Sequence, residues 1–170
     1  MRILIYGFGP YRQFRSNITG KILRRLPRRK ELTKLVFPVR FHRRQFTEAL
    51  RRHQPDVVIG LGQCSRGRQL RVESRAVNLR RNQKKDTPKK IARAGAAALK
   101  TNLRIILGSQ ARRSRSAGDY VCNYSMYIIL DALRRESSPT RYGFVHIPHD
   151  YSVQKATQSL NRAVTRLLRA

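Results

Sequence analysis

The sequence predicts a single-domain α/β fold, with a mainly parallel, twisted central sheet flanked by helices on both faces. Three observations predict it. Short apolar runs recur along the chain and alternate with segments of helical periodicity, the pattern of β-α-β units. One run, Val57-Val58-Ile59-Gly60-Leu61, is apolar at every position, as a central strand covered on both faces must be. A glycine-rich loop, Gly7-Phe8-Gly9-Pro10, follows the first run directly and a glycine turn follows the strand Asp56–Gln63, places where open sheets of this class gather ligands. A chain of 170 residues can bury a core without staples, and no internal repeat or second domain is marked within residues 1–170.

Taken in order, Arg2 to Tyr6 reads as a buried strand ended by Gly7. The loop Gly7–Tyr11 holds two glycines and a proline, so backbone can approach a ligand there. A helix follows from Ser16 or Asn17 through Leu26 and stops at Pro27. Lys34 to Val39 is a second strand, with Pro38 marking an edge or an end. Phe41 to His53 is helical, with Phe41, Phe46, Ala49 and Leu50 on one face and Pro55 closing it. Asp56 to Gln63 is the central strand. Arg68 to Asn78 reads as an extended pair around Gly67 that carries Glu73, and Arg80 to Lys90 as an exposed basic loop. Pro88 opens an alanine-rich helix over Lys89 to Lys100. Leu103 to Leu107 is a further strand, and Gly108 to Arg115 a basic connector. Val121, Met126, Ile129, Leu130 and Leu133 form one apolar face of a helix ending near Arg134-Arg135. Tyr142 to Pro148 is a strand that ends at His146, and Ser152 to Leu168 a closing amphipathic helix.

The charge sets this chain apart. Lys and Arg number 38 against 9 acidic residues, a net charge of +29. Such a field attracts polyanions, so non-specific binding to nucleic acid is expected. The basic pairs are spread from Arg24-Arg25 to Arg134-Arg135, a bias over the whole surface that matches no dedicated nucleic-acid motif. Two cysteines, Cys64 and Cys122, are too few for a disulfide framework. With no C-x-x-C pair and no histidine cluster, no metal and no cofactor are expected. No apolar stretch approaches a signal core or a membrane span, which points to a cytoplasmic protein.

The chemistry gathers around Ser116-Ala117-Gly118-Asp119-Tyr120-Val121-Cys122-Asn123. Asp119 is placed to cap the helix that starts here, and Cys122 falls in its first turn. Free N–H groups and the helix dipole favour an anion there, so a thiol pKa lowered by the helix terminus and by a nearby imidazole is expected. By position alone a lone cysteine is better explained as a small buried hydrophobe, so its neighbours decide. A cysteine hydrolase also needs an imidazole and a group to orient it. Of the four histidines, His42 and His53 lie in a basic helix and His149 in a loop. His146 has an apolar strand to hold its ring, although a core histidine explains it equally well. Glu73 reads as an orienting carboxylate or as a surface partner of Arg71 or Arg75, and spacing does not choose it over Glu48 or Asp56.

Five blocks in order resemble the pyroglutamyl peptidase I family of cysteine peptidases, which remove N-terminal pyroglutamate. They are Gly7-Phe8-Gly9-Pro10-Tyr11 with Asn17, Val58-Ile59-Gly60-Leu61-Gly62-Gln63, Glu73-Ser74-Arg75-Ala76-Val77-Asn78, Ala117-Gly118-Asp119-Tyr120-Val121-Cys122-Asn123 with Met126-Tyr127, and Gly143-Phe144-Val145-His146-Ile147-Pro148. The resemblance implies a phosphorylase/hydrolase-like architecture, with Cys122 as nucleophile, His146 as general base and then acid, and Glu73 as the orienting carboxylate. It implies an aromatic slot for the lactam ring from Phe8 and Tyr11, lined also by Asn17, with backbone near Gln63, Tyr120 and Val121 reading the lactam edge. The oxyanion would meet the Cys122 N–H and a cation. The family carries an arginine for this purpose where the present chain has Gln83, so Arg80 or Arg81 is the expected substitute. Arg12-Gln13 stand where the family has glycine, Ile18-Thr19 replace Pro-Ser, and Ser74 replaces the arginine after the glutamate. The segment between Asn78 and Cys122 is shorter than in the family, which bears on substrate range and on the contacts of a homo-oligomer. Two further readings are a polyanion-binding protein on the same scaffold and a cysteine amidase for another cyclic, N-blocked substrate.

Overall fold

The computed structural model describes residues 1–11, 14–65 and 67–169, so the Arg12-Gln13 departure lies outside the described residues. Eight strands and four helices are present among them: β1 (Ile3–Phe8), α1 (Ile18–Arg25), β2 (Leu32–Phe37), α2 (Arg43–His53), β3 (Val57–Cys64), β4 (Leu70–Glu73), β5 (Arg75–Val77), β6 (Ala98–Lys100), β7 (Ala111–Ser114), α3 (Val121–Arg135), β8 (Arg141–Pro148) and α4 (Val153–Arg169). The main sheet runs β2-β1-β3-β8-β4-β7. Its pairings are parallel except for β4 against β8, where the short return from Cys64 reverses the chain.

Strand alternation sorts the core into two layers. Ile3, Ile5, Val57, Ile59, Val145 and Ile147 face α1 and α4, whose Ile22, Leu23, Leu160 and Val164 are buried against them. Leu4, Tyr6, Val58, Tyr142 and Phe144 face α2 and α3, which bring Phe46, Leu50, Met126 and Ile129. The central strands are apolar throughout because both faces are covered. Tyr6 and Tyr142 enter this interior by bonding each other's hydroxyls at 2.8 Å, with Ser125 Oγ at 3.0 Å from Tyr6.

Four local expectations give way to tertiary contacts. No helix forms over Lys89 to Lys100. The Asn78 side chain accepts from the N–H of Ile91 and Ala92 and donates to the carbonyls of Ala92 and Gly95, which bends the segment into turns. Tyr127 donates to Ala96 O, and β6 then pairs with β5. Helix propensity is a weak prior against so many specific bonds. Arg68 to Asn78 is not one extended pair, since β4 joins the main sheet and β5 the small one. Leu103, Ile105 and Leu107 are buried alternately with Arg104 and Ile106 exposed, yet they join no ladder. They lie across the α1 and α4 face, where a Cβ on Gly143 would meet Ile105 Cδ1 at 2.7 Å. The basic connector contains β7, whose polar sequence hides an edge strand paired with β4.

Candidate active site

Cys122 is the second residue of α3, in the first turn as its position predicts. Asp119 does not cap this helix. Tyr120 holds the cap position in extended conformation, and its side chain makes no capping bond to the helix. The Asp119 carboxylate is taken by Arg81, whose Nη2 and Nε lie 2.6 and 2.7 Å from Oδ2. The helix start is fixed instead from its inner side. Asn123 accepts from Val77 N–H and donates to the carbonyls of Val77 and Leu79, clamping α3 to the strand that follows Glu73.

The sheet beneath is shaped to receive the thiol. A Cβ on Gly62 would lie 2.7 Å from Cys122 Sγ, so only glycine lets the sulfur rest on β3. Gly62 is the register partner of His146, and His146 of Arg71. Residues opposite one another share a face, so His146 and Arg71 emerge on the side where Cys122 sits. Two positions along β4, Glu73 lies on that face too, and its Oε1 is 2.8 Å from His146 Nδ1. Glu73 is fully buried and His146 is 4% exposed, so neither the surface ion pair nor a histidine held by apolar packing alone describes them. His42 and His53 stand at the two ends of α2, and His149 stacks on Phe14 at 5.5 Å.

The expected lowering of the Cys122 pKa is overturned. Burial of the sulfur pushes it up to about 12, the charges of Cys64 and Glu73 push the same way, and Arg71 and the local backbone oppose them too weakly. A helix terminus lowers a thiol pKa most where the sulfur stays solvated, and here the half-buried thiol is pressed against β3. Among the described residues Arg71 is the cation whose charge pulls the Cys122 pKa down. Arg81 is committed to Asp119, and the Arg80 guanidinium lies 5.3 Å over the Phe41 ring. Arg71 and Glu73 alternate along one strand, and that period-two spacing was the one sequence signal able to reveal the arginine.

A cavity of about 150 Å³ opens beside Cys122, lined by Phe8, Tyr11, Asn17, Gln63, Tyr120 and Val121, with Phe14, Val39 and Ser65 completing it. Every residue named from the sequence for the slot is on this wall. Tyr11 and Tyr120 stack at 5.2 Å, and Phe41 meets Tyr120 edge-on at 5.3 Å. The polar side chains largely build the wall. Asn17 caps α1 by accepting from Thr19 N–H, and Gln63 Oε1 accepts from Ile18 N–H at 2.9 Å. A cavity of this size holds one small ring. Among the described residues no cluster of histidine, cysteine or carboxylate side chains could hold a metal, and no helix is long and apolar enough to cross a membrane.

Known proteins of the same shape and sequence pattern can be set beside this geometry. The Pyroglutamyl peptidase family profile matches residues 1–165. The chain is 30% identical to the pyrrolidone-carboxylate peptidase of Bacillus subtilis, over 99% of this chain and 89% of that one. It is also 30% identical to the Bacillus velezensis protein of that name, over 94% and 85%. The crystal structure of pyroglutamyl peptidase I from Bacillus amyloliquefaciens superimposes with a TM-score of 0.88 at 27% identity, covering 96% of this chain and 93% of that one. A mutant pyrrolidone carboxyl peptidase from Pyrococcus furiosus shares the fold, with a TM-score of 0.89 at 23% identity over 99% of both chains. With the profile spanning nearly the whole chain and the fold agreeing, this protein belongs to the pyroglutamyl peptidase family of hydrolases.

Proposed function

We propose that the protein is a cysteine omega-peptidase that releases N-terminal pyroglutamate from peptides through Cys122, His146 and Glu73. One observation carries the reading: a buried His146–Glu73 hydrogen bond of 2.8 Å on the sheet face where Cys122 sits, beside a small aromatic cavity. The Glu73 carboxylate accepts from Nδ1–H, which leaves Nε2 to take the thiol proton. Burial raises the thiol pKa, so attack on the scissile carbonyl proceeds with proton transfer to His146. The Cys122 sulfur bonds to the carbonyl carbon, and the oxyanion meets the Cys122 N–H at the start of α3. The His146 imidazolium protonates the departing amine, leaving a thioester. Water, deprotonated by the same imidazole, releases pyroglutamate and restores the thiol.

The slot suits this substrate. A pyroglutamyl residue has no free amine, so it needs an apolar, ring-sized recess with a few hydrogen bonds and no acidic anchor. The Phe8, Tyr11 and Tyr120 wall supplies the former, and backbone near Gln63 and Val121 the latter. Fluorophore release from a pyroglutamyl amide, with wild type and Cys122→Ala side by side under reducing conditions, tests the reading. Turnover by the wild type alone supports it; equal turnover by Cys122→Ala would sink it. Wild-type silence on pyroglutamyl amides, with hydrolysis of another cyclic N-blocked amide, would favour the related amidase. The net charge of +29 favours polyanion binding as a second property of the same molecule.

A further inference from the structure

The triad reading leaves one charged residue of the site without a role. Arg71 stands directly across from His146 in the β4–β8 pair, with its Nε 3.9 Å from Glu73 Oε1. Among the described residues it is the one Lys or Arg within ion-pair reach of that carboxylate. Glu73 is fully enclosed, and its Oε2 accepts no hydrogen bond; the buried Arg71 Nε donates none. An enclosed carboxylate with a single neutral imidazole as partner is poorly compensated, and a cation alongside changes that balance decisively.

We propose that Arg71 is a positioning residue for the Cys122 site: it balances the buried charge of Glu73 and so keeps His146 in the tautomer whose Nε2 can accept the thiol proton. The inference rests on the cysteine-peptidase reading above. With Arg71 beside it the Glu73 carboxylate stays an acceptor for the His146 Nδ1–H, which leaves Nε2 open to the thiol proton. The groups facing Cys122 are Cys64 of β3, Arg71 and Glu73 of β4, His146 and Tyr142 of β8, and Tyr6 of β1; on β7 the exposed Arg112 is the register partner of Arg71.

The test compares wild type, Arg71→Gln and Arg71→Lys by two readouts. The first is the rate of iodoacetamide alkylation at about pH 8, followed by mass spectrometry on the Cys122 peptide. In Arg71→Gln it should fall about tenfold, the equivalent of one pKa unit, while Arg71→Lys should keep most of it. The second is the acid limb of kcat/KM on a pyroglutamyl amide, which should move up by about one pH unit in Arg71→Gln and be restored by lysine. A wild-type alkylation rate in folded Arg71→Gln would overturn the proposal. Alkylation needs no substrate, so a wrong substrate assignment shows itself only in the second readout. Should Arg71→Gln not fold, Arg71→Gln/Glu73→Gln replaces it, since that pair of changes removes both buried charges. Its alkylation rate must equal that of Glu73→Gln alone, and a further drop would overturn a role exerted through Glu73.

Discussion

Replacing Gly62 with alanine should disable the site more than it weakens the fold. The added methyl would sit 2.7 Å from Cys122 Sγ and 2.8 Å from the Phe144 ring, inside van der Waals contact on both sides. Phe144 is fully buried and packed edge-on against His146 at 5.0 Å, so the ring cannot retreat without disturbing the imidazole. Relief has to come from lifting the first turn of α3. Overpacking of this kind costs about 2 kcal/mol, or about 4–8 °C in Tm for a chain of this size. A shift of the nucleophile by about 1 Å costs roughly a hundredfold in kcat. The assay pairs thermal unfolding with turnover of a pyroglutamyl amide. Gly20→Ala in α1 serves as the control, because its methyl would find nothing nearer than Phe8 O at 3.5 Å. Gly62→Ala with more than half of wild-type kcat, or an equal loss in Gly20→Ala, would refute the claim that the thiol rests on β3.

Three further outcomes follow from contacts elsewhere. Asp131 is buried among Arg43, Arg134 and Arg135; burial pulls its pKa up, but the hydrogen bonds and charges of Arg134 and Arg135 outweigh it and hold the value below normal. A lowered folded pKa gives stability that is present above the ordinary carboxylate range and lost as pH falls through the folded value. Asp131→Asn should therefore cost about 2 kcal/mol at neutral pH in urea titration and little below about pH 3. Asn123→Ala removes three bonds between α3 and the β5 edge and should cost about 2–3 kcal/mol by the same measurement, with a loss of turnover from a loosened Cys122 turn. Binding to heparin or single-stranded nucleic acid should weaken steeply between low and moderate salt; an affinity insensitive to salt would show that the +29 charge is not what drives it.

The sequence by itself determined the architecture and where along the chain the reactive groups lie. Apolar runs and helical stripes are written in local periodicity, and a buried strand such as Val57–Leu61 has few alternatives once both its faces need cover. A cysteine at a helix start was equally legible, and the block order carried the family resemblance, whereas the glycines read as strand ends lie within β1 and β3. The sequence did not decide between a nucleophile and a small buried thiol, or between Glu73 and the other carboxylates. Those choices depend on which strands become neighbours. The antiparallel insertion of β4 beside β8 brings Glu73 and Arg71 to His146, across a separation of 73 residues in the case of Glu73. Only the tertiary structure decided that Asp119 holds Arg81 instead of capping α3, that Asn78 turns the alanine-rich stretch away from helix, and that burial raises the Cys122 pKa. The physical reason is common to all three. A hydrogen bond, an ion pair or an enclosed sulfur is settled by groups distant in sequence, and each outweighs the few tenths of a kcal/mol by which local propensity is expressed.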